Sequence, residues 1–270
     1  MRSTWPTVNL SCEYCTHFCR YTRGLETQDN IIHWYKTWNN RIRPGRILLI
    51  GGEPLLHPQL ASIIRDTQRC WPDSNVHMTT NGLLLHKGKE SVIEALREVD
   101  AHVFLSQHYD DPEYNKPFYA AIDRLIRHGI GYTIYTSYRD WRKTYHVHSD
   151  QRLHPYQSDA SQAWNNCRTK TICPTLIDNR IFKCQHIAHV FRNRKNGFLG
   201  PEWDIVNNYH PLSPDATADE IERHLQAEAV EACRICPERY EYVSLIEKRE
   251  GALRFSRTMG DHKNPVWQNT

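Results

Sequence analysis

A chain of 270 residues, 39% hydrophobic and 24% charged, can bury the core of one large domain, or of one domain with a small appendage. Its net charge of +3 comes from scattered basic residues, which excludes the clustered positive face of a nucleic-acid binder. No stretch approaches the roughly 20 apolar residues of a membrane span, and the opening MRSTWPTVNL lacks the apolar core of a secretory signal, so a cytoplasmic protein with no membrane partner is expected.

In chain order, VNL at 8–10 reads as a first strand, and a loop carrying Cys12, Cys15 and Cys19 follows it at once. RILLIGGEP is an apolar strand ending in glycines, and HPQLASIIRDTQRCW continues with apolar residues at helical spacing. NVHMTTNG predicts a strand and turn, KESVIEALREVD a helix, AHVFLSQH a strand, KPFYAAIDRLIRHGI a helix ending at Gly129, and GYTIYTSY a strand. Such alternation makes the fold class α/β, with a parallel sheet and functional residues at the C-terminal strand ends. Residues 139–165 are polar and read as a connector or substrate-facing loop. CPTLIDNRIFKC reads as a hairpin around Asp178-Asn179, and ATADEIERHLQAEAVEA as a helix delivering Cys233 and Cys236. The expected division is a core over 1–149, a small unit organised around cysteine over 150–245, and a tail over 246–270.

Nine cysteines in a cytosolic chain of this size are better explained by metal than by disulfides. Eight fall in groups: Cys12, Cys15 and Cys19; Cys167, Cys173 and Cys184; Cys233 and Cys236. Cys70 stands alone near a helix end as a small semi-buried residue. Thiolates two and three residues apart can converge on one centre, and both zinc and iron–sulfur sites use such spacing. His17 offers zinc a fourth ligand, so zinc stays open on the first group alone. The pairs His146/His148 and His186/His189 lack a third ligand at an interpretable spacing and read as structural. RNRK at 192–195 reads as a solvated loop.

The three-cysteine loop together with GGEP resembles the radical SAM superfamily. The resemblance implies a partial (β/α)6 TIM-like barrel whose cysteine loop holds a [4Fe–4S] cluster chelated by S-adenosylmethionine. It places Gly51, Gly52, Glu53 and Pro54 at the methionyl ammonium of that cofactor. Thr80 and Asn81 of TTNG, with Ser106 and Gln107, fall where the family makes ribose and carboxylate contacts. The departure is in the loop: the family's usual C-x3-C-x2-C puts Val8 at the first ligand position, and valine cannot bind iron. Cys19 is the substitute, with Cys12, Cys15 and Cys19 as the ligand set in reversed spacing.

The second cysteine set resembles the twitch domain, a shortened relative of the SPASM extension, which binds one auxiliary [4Fe–4S] cluster. Cys167, Asn179 in the place of a glycine, Cys184, Cys233 and Cys236 follow its pattern, and Cys173 supplies a fifth thiol that leaves the choice between Cys167 and Cys173 open. Asn tolerates the left-handed turn that Gly supplies.

What the resemblance implies is reductive cleavage of S-adenosylmethionine to a 5′-deoxyadenosyl radical and hydrogen abstraction from a substrate carbon, with electrons from a flavodoxin- or ferredoxin-type partner. An auxiliary cluster favours a net oxidative outcome. Topology puts Tyr135, Tyr138, Arg139 and Trp141, on the fifth strand and its loop, forward as proton acceptors and substrate contacts. A first strand within ten residues of the start favours a small molecule of sugar, nucleoside or amino-sugar type. The alternatives are a peptide-modifying maturase and a non-catalytic zinc or iron–sulfur protein degenerate at Val8.

Overall fold

The computed structural model describes residues 1–3, 8–22, 24–170 and 172–243; the tail expected over 246–270 lies outside them. Its first half runs β1 (Arg2–Ser3), α1 (Gln28–Trp38), β2 (Arg46–Leu49), α2 (Leu60–Cys70), β3 (Asn75–Thr80), α3 (Glu90–Glu98), β4 (His102–Ser106), α4 (Pro112–Arg127) and β5 (Tyr132–Tyr135). Local chemistry sets the boundaries. The Thr27 hydroxyl accepts from the amide of Asn30 to start α1. Asp111 caps α4 through the amides of Glu113 and Tyr114, with Pro112 in the first turn. Helix α4 stops where Gly129 takes φ +65°. α1 was not anticipated, and VNL is not a strand: the first described strand is β1.

The second half is more broken. It holds β6 (Trp141–Arg142), β7 (His146–Val147), β8 (Leu153–His154), α5 (Ala160–Asn165), β9 (Thr175–Ile177), β10 (Arg180–Phe182), α6 (Gln185–Asn193), α7 (Ala218–Gln226) and β11 (Tyr242–Val243). The expected connector over 139–165 therefore contains three short strands and a helix. The predicted hairpin forms, with Asp178 at φ 50° and Asn179 at φ 55° making its turn. The helix expected to deliver Cys233 and Cys236 ends at Gln226, and Glu231–Ile235 is a separate 3-10 turn.

Seven strands make one sheet in the order β10-β9-β1-β2-β3-β4-β5. β1 to β5 are parallel and in sequence, and β9 joins the other edge parallel to β1, with Arg2 opposite Thr175. The fold is the expected partial TIM-like barrel, with one difference: the sixth parallel strand closes beside β1 instead of beyond β5. The hairpin thus belongs to the main sheet, so residue 150 does not separate two sheets. Backbone pairing at an open edge outcompetes a local fold, because a three-residue hairpin has too little apolar face to stand alone.

Alternation along the strands sorts the two faces. Ile47, Leu49, Val76, Met78, Val103 and Leu105 are buried with Ile63, Ile93, Leu96 and Phe118 of the helices in one core. The other face carries Leu48, Thr79, Phe104 and Tyr135, which wall a cavity of about 1420 Å³ with Ile221 and Leu225 of α7 across it. His102 Nε2 bonds Thr133 Oγ1 at 2.9 Å across β4 and β5 on this polar side.

At the strand ends Glu53 is fully buried. One carboxylate oxygen accepts from Thr80 Oγ1 at 2.7 Å and from the Leu55 amide at 3.2 Å; the other accepts from the Asn81 amide at 2.9 Å. The carboxylate thereby ties the turn after β2 to the end of β3. Burial pushes its pKa up to about 7, and the three donors only partly offset this. Gly82, one residue further on, has φ +79°, and a Cβ there would stand 2.9 Å from Phe118 Cδ2.

Two outcomes are expected. An acid with a raised folded pKa contributes stability that is complete below its unfolded pKa and is lost as pH rises through the folded value. The stability difference between wild type and Glu53→Gln should therefore move against wild type between about pH 4.5 and 7, by up to roughly 3 kcal/mol, in denaturant titrations; a constant difference would show that Glu53 titrates normally. Gly82→Ala should lose roughly 1–3 kcal/mol in the same measurement, and an unshifted midpoint would mean that Phe118 simply yields.

Candidate active site

The cysteine loop is built around one ring. Phe18 takes a left-handed backbone, φ 52°, and its side chain is fully buried between Tyr145, His186, Phe198 and Trp203, at ring-centroid distances of 5.7, 5.8, 5.8 and 5.9 Å. Three more ties come from distant chain. Trp141 Nε1 donates to the Glu13 carbonyl at 2.6 Å, Thr144 Oγ1 to the Tyr14 carbonyl at 2.6 Å, and Gln185 Nε2 to Thr16 Oγ1 at 3.0 Å. Asn81 Nδ2 donates to Asn9 Oδ1 at 2.7 Å, fixing the loop entrance to the end of β3.

The loop so held lines a cavity of about 330 Å³ at the C-terminal ends of the strands. Cys12, Cys15 and Cys19 open onto it with Gly51, Gly52, Thr80, Asn81 and Ser106, and so do Cys167, Cys173, Cys184 and Cys236 from the second half. Residues that the sequence read as two separate sets therefore share one space. Cys233 is not on its wall. Val8 is, beside the first cysteine set.

Several expected site residues stand elsewhere. Glu53 turns its carboxylate into the protein, occupied as described, and with Pro54 does not reach the wall; only Gly51 and Gly52 of that motif do. Gln107 is buried with its amide donating to Asn115 Oδ1 at 2.8 Å. Tyr138 is buried off the cavity, and Arg139 is an exposed cation stacked 5.3 Å over its ring. Tyr135 faces the larger cavity instead. Of the expected contacts on this segment Trp141 is on the wall, and Ser137, Asp140 and Arg142 line it with that ring.

Three imidazoles face thiols. His108 Nδ1 lies 3.6 Å from Cys12 Sγ, His17 Nδ1 3.9 Å from Cys15 Sγ, and His186 Nδ1 3.4 Å from Cys236 Sγ. The second ring nitrogens of His17 and His186 are buried without a hydrogen-bond partner, as are both of His189, whose ring stands 4.6 Å from that of His17. Burial holds His108 and His186 near pKa 4, and hence neutral. Sequence reasoning missed His108, which follows Ser106-Gln107 at the end of β4; its position just past a strand was the available signal.

None of the nine cysteines, all among the described residues, is in a disulfide. Burial pushes Cys12, Cys184, Cys233 and Cys236 up, while a hydrogen bond with Cys19, and then the His17 contacts, hold Cys15 well below the usual thiol range. Buried thiols of raised pKa become thiolates only beside a cationic centre. Among the described residues no three Cys, His, Asp or Glu side chains converge closely enough for a single metal ion, while seven cysteines line one cavity. That arrangement fits a multi-iron cluster, whose thiolate ligands stand around it rather than about one point. No helix of the described chain is long and apolar enough to cross a membrane.

Over 98 residues the chain is 35% identical to the GTP 3′,8-cyclase of Microcystis aeruginosa (strain NIES-843 / IAM M-2473), a match covering 34% of this chain and 30% of that protein. The chain therefore matches less than a third of that relative's length. Among solved structures, BtrN in complex with AdoMet and 2-DOIA is 15% identical, with TM-score 0.45 over 87% of this chain and 92% of BtrN. Native anSMEcpe with bound AdoMet and Kp18Cys peptide is 18% identical, with TM-score 0.39 over 49% of this chain and 42% of that one. The family model described as the radical SAM superfamily matches residues 6–140, which is half of the chain and contains the cysteine loop, GGEP and strands β2 to β5; the chain belongs to the radical SAM superfamily.

Proposed function

We propose that this chain binds S-adenosylmethionine on a [4Fe–4S] cluster held by Cys12, Cys15 and Cys19, and oxidises a small polar substrate with a second cluster held by the later cysteines. The observation that carries the reading is the single cavity walled by both cysteine sets and by Gly51 and Gly52. Bound together, cluster and cofactor supply a 5′-deoxyadenosyl radical that removes hydrogen from a substrate carbon. The side chains do the rest. Backbone groups at Gly51 and Gly52 are open to the cofactor's amino acid end, since no side chain intervenes there. Asn81 and Ser106 offer polar contacts from the next two strand ends. Asp140 is the one carboxylate on the cavity wall among the described residues and takes the proton that leaves with a two-electron oxidation. The second thiol set lines the same cavity as the first, and a cluster held there would be the acceptor of the remaining electron. A sugar, nucleoside or amino-sugar substrate enters from the larger cavity, which opens on the barrel interior.

Anaerobic reconstitution with iron and sulfide, followed by iron and zinc counts and an assay of 5′-deoxyadenosine release under dithionite, tests the reading. About eight irons per chain are expected from two four-iron clusters, with release abolished in Cys19→Ala. Zinc in place of iron, with no release by wild type, would leave a cysteine-stapled binding protein. A second expectation concerns the imidazoles. Hydrogen bonds to cluster sulfurs favour the more negative, reduced state, so His108→Phe should shift the reduction potential of the first cluster to a more negative value in an EPR-monitored titration. An unchanged potential would mean that His108 only packs, its ring lying 5.1 Å from that of Trp141.

A further inference from the structure

We infer that the substrate carries an anionic group, phosphate or carboxylate, and that Arg142 is its anchor at the neck joining the two cavities. The inference rests on the reading of the smaller cavity as the reaction site and adds the substrate's charge class. Ile50, Thr79, Arg142 and Thr169 line both cavities, so the two spaces meet where these residues stand. Anything passing from the barrel interior to the thiols passes them. Arg142 is the only charged residue of the four.

Its environment sets it apart from the other half-buried and buried arginines. Arg124 is bound by the carbonyls of Leu85 and Gly88 and by Glu90. Arg192 reaches Glu26 at 3.0 Å, and Arg41 donates to the carbonyls of Pro214 and Ala216. The guanidinium carbon of Arg142 lies over the Tyr240 ring, 5.0 Å from its centroid, and among the described residues the group donates to no carboxylate or carbonyl. The β6–β11 pairing, Arg142 opposite Tyr242, holds its backbone in place. A partly buried guanidinium packed against an aromatic ring and without a protein acceptor keeps its forked N–H donors for a ligand, and that fork binds carboxylate and phosphate in bidentate fashion.

The larger cavity has the matching charge. Arg43 and Arg46 on its wall also make no ion pair among the described residues, and Glu222 is the one carboxylate there. Among the described residues the one carboxylate on the wall of the smaller cavity is the exposed Asp140. An anion is therefore drawn through the barrel interior and stopped at Arg142, leaving the uncharged part of the molecule in the smaller cavity with the thiols. Arg139, three residues earlier in the chain, lines neither cavity, which makes it a control of equal charge.

Isothermal titration of the reconstituted full-length protein, without oxygen, with inorganic pyrophosphate and separately with malonate tests this. Wild type should bind at least one of the two, Arg142→Ala at least tenfold more weakly, Arg142→Lys in between, and Arg139→Ala as wild type. Arg142→Lys preserves charge and stem, so its intermediate value guards against a loss caused by misfolding. Preference for pyrophosphate assigns a phosphorylated substrate, and preference for malonate a carboxylate one. The inference fails if wild type binds neither probe, if Arg142→Ala binds as wild type does, or if Arg139→Ala weakens binding equally. Deoxyadenosine release by wild type is scored on the same preparation: its absence with the Arg142-dependent binding intact would overturn the radical reading and leave the anion site standing.

Discussion

Everything at this site depends on the burial of one aromatic ring. Phe18 lies midway along the cysteine loop, and it is held among four rings drawn from residues 145, 186, 198 and 203. Losing a buried phenyl ring costs roughly 3–5 kcal/mol, a large share of the margin of any domain. The same contact brings the first cysteine set against the second half of the chain, so the local stability of the loop and the sharing of one cavity by seven thiols are a single packing event.

The sheet divides the labour. Its outer face is apolar and buried under helices, and its inner face, with Thr79, Phe104 and Tyr135, is left to a large cavity. A parallel barrel normally fills this interior with branched side chains. Here α7 stands across an open space and aromatic, hydroxyl and cationic groups line it, which suits a polar guest. Glu53 then holds the rim: its buried carboxylate fastens the turn after β2 to β3, so the glycines before it face the cavity at a fixed height.

The second cysteine unit is less independent than its sequence indicates. The β9–β10 hairpin extends the main sheet beside β1, and α6, capped by Cys184, carries His186 and His189 back to the cysteine loop. The two halves are joined by strand pairing, by the Phe18 cluster and by facing imidazoles, and a common wall carrying both cysteine sets is the consequence.

The amino-acid sequence by itself determined the strand–helix alternation from Arg46 to Tyr135, the hairpin turn at Asp178-Asn179 and the grouping of the cysteines, because each is written in local periodicity or spacing. Tertiary structure alone decided which side chains reach the site. Glu53 and Gln107 turned inward to satisfy buried donors and partners, Tyr138 and Arg139 fell off the cavity, and His108 and Arg142 took the wall beside the expected Trp141. Phe18 looked like any loop aromatic, and the hairpin like part of a separate unit. The Phe18, Trp141 and hairpin outcomes follow from contacts between residues more than a hundred positions apart, and no window along the chain records which distant ring, strand edge or carbonyl a side chain will meet.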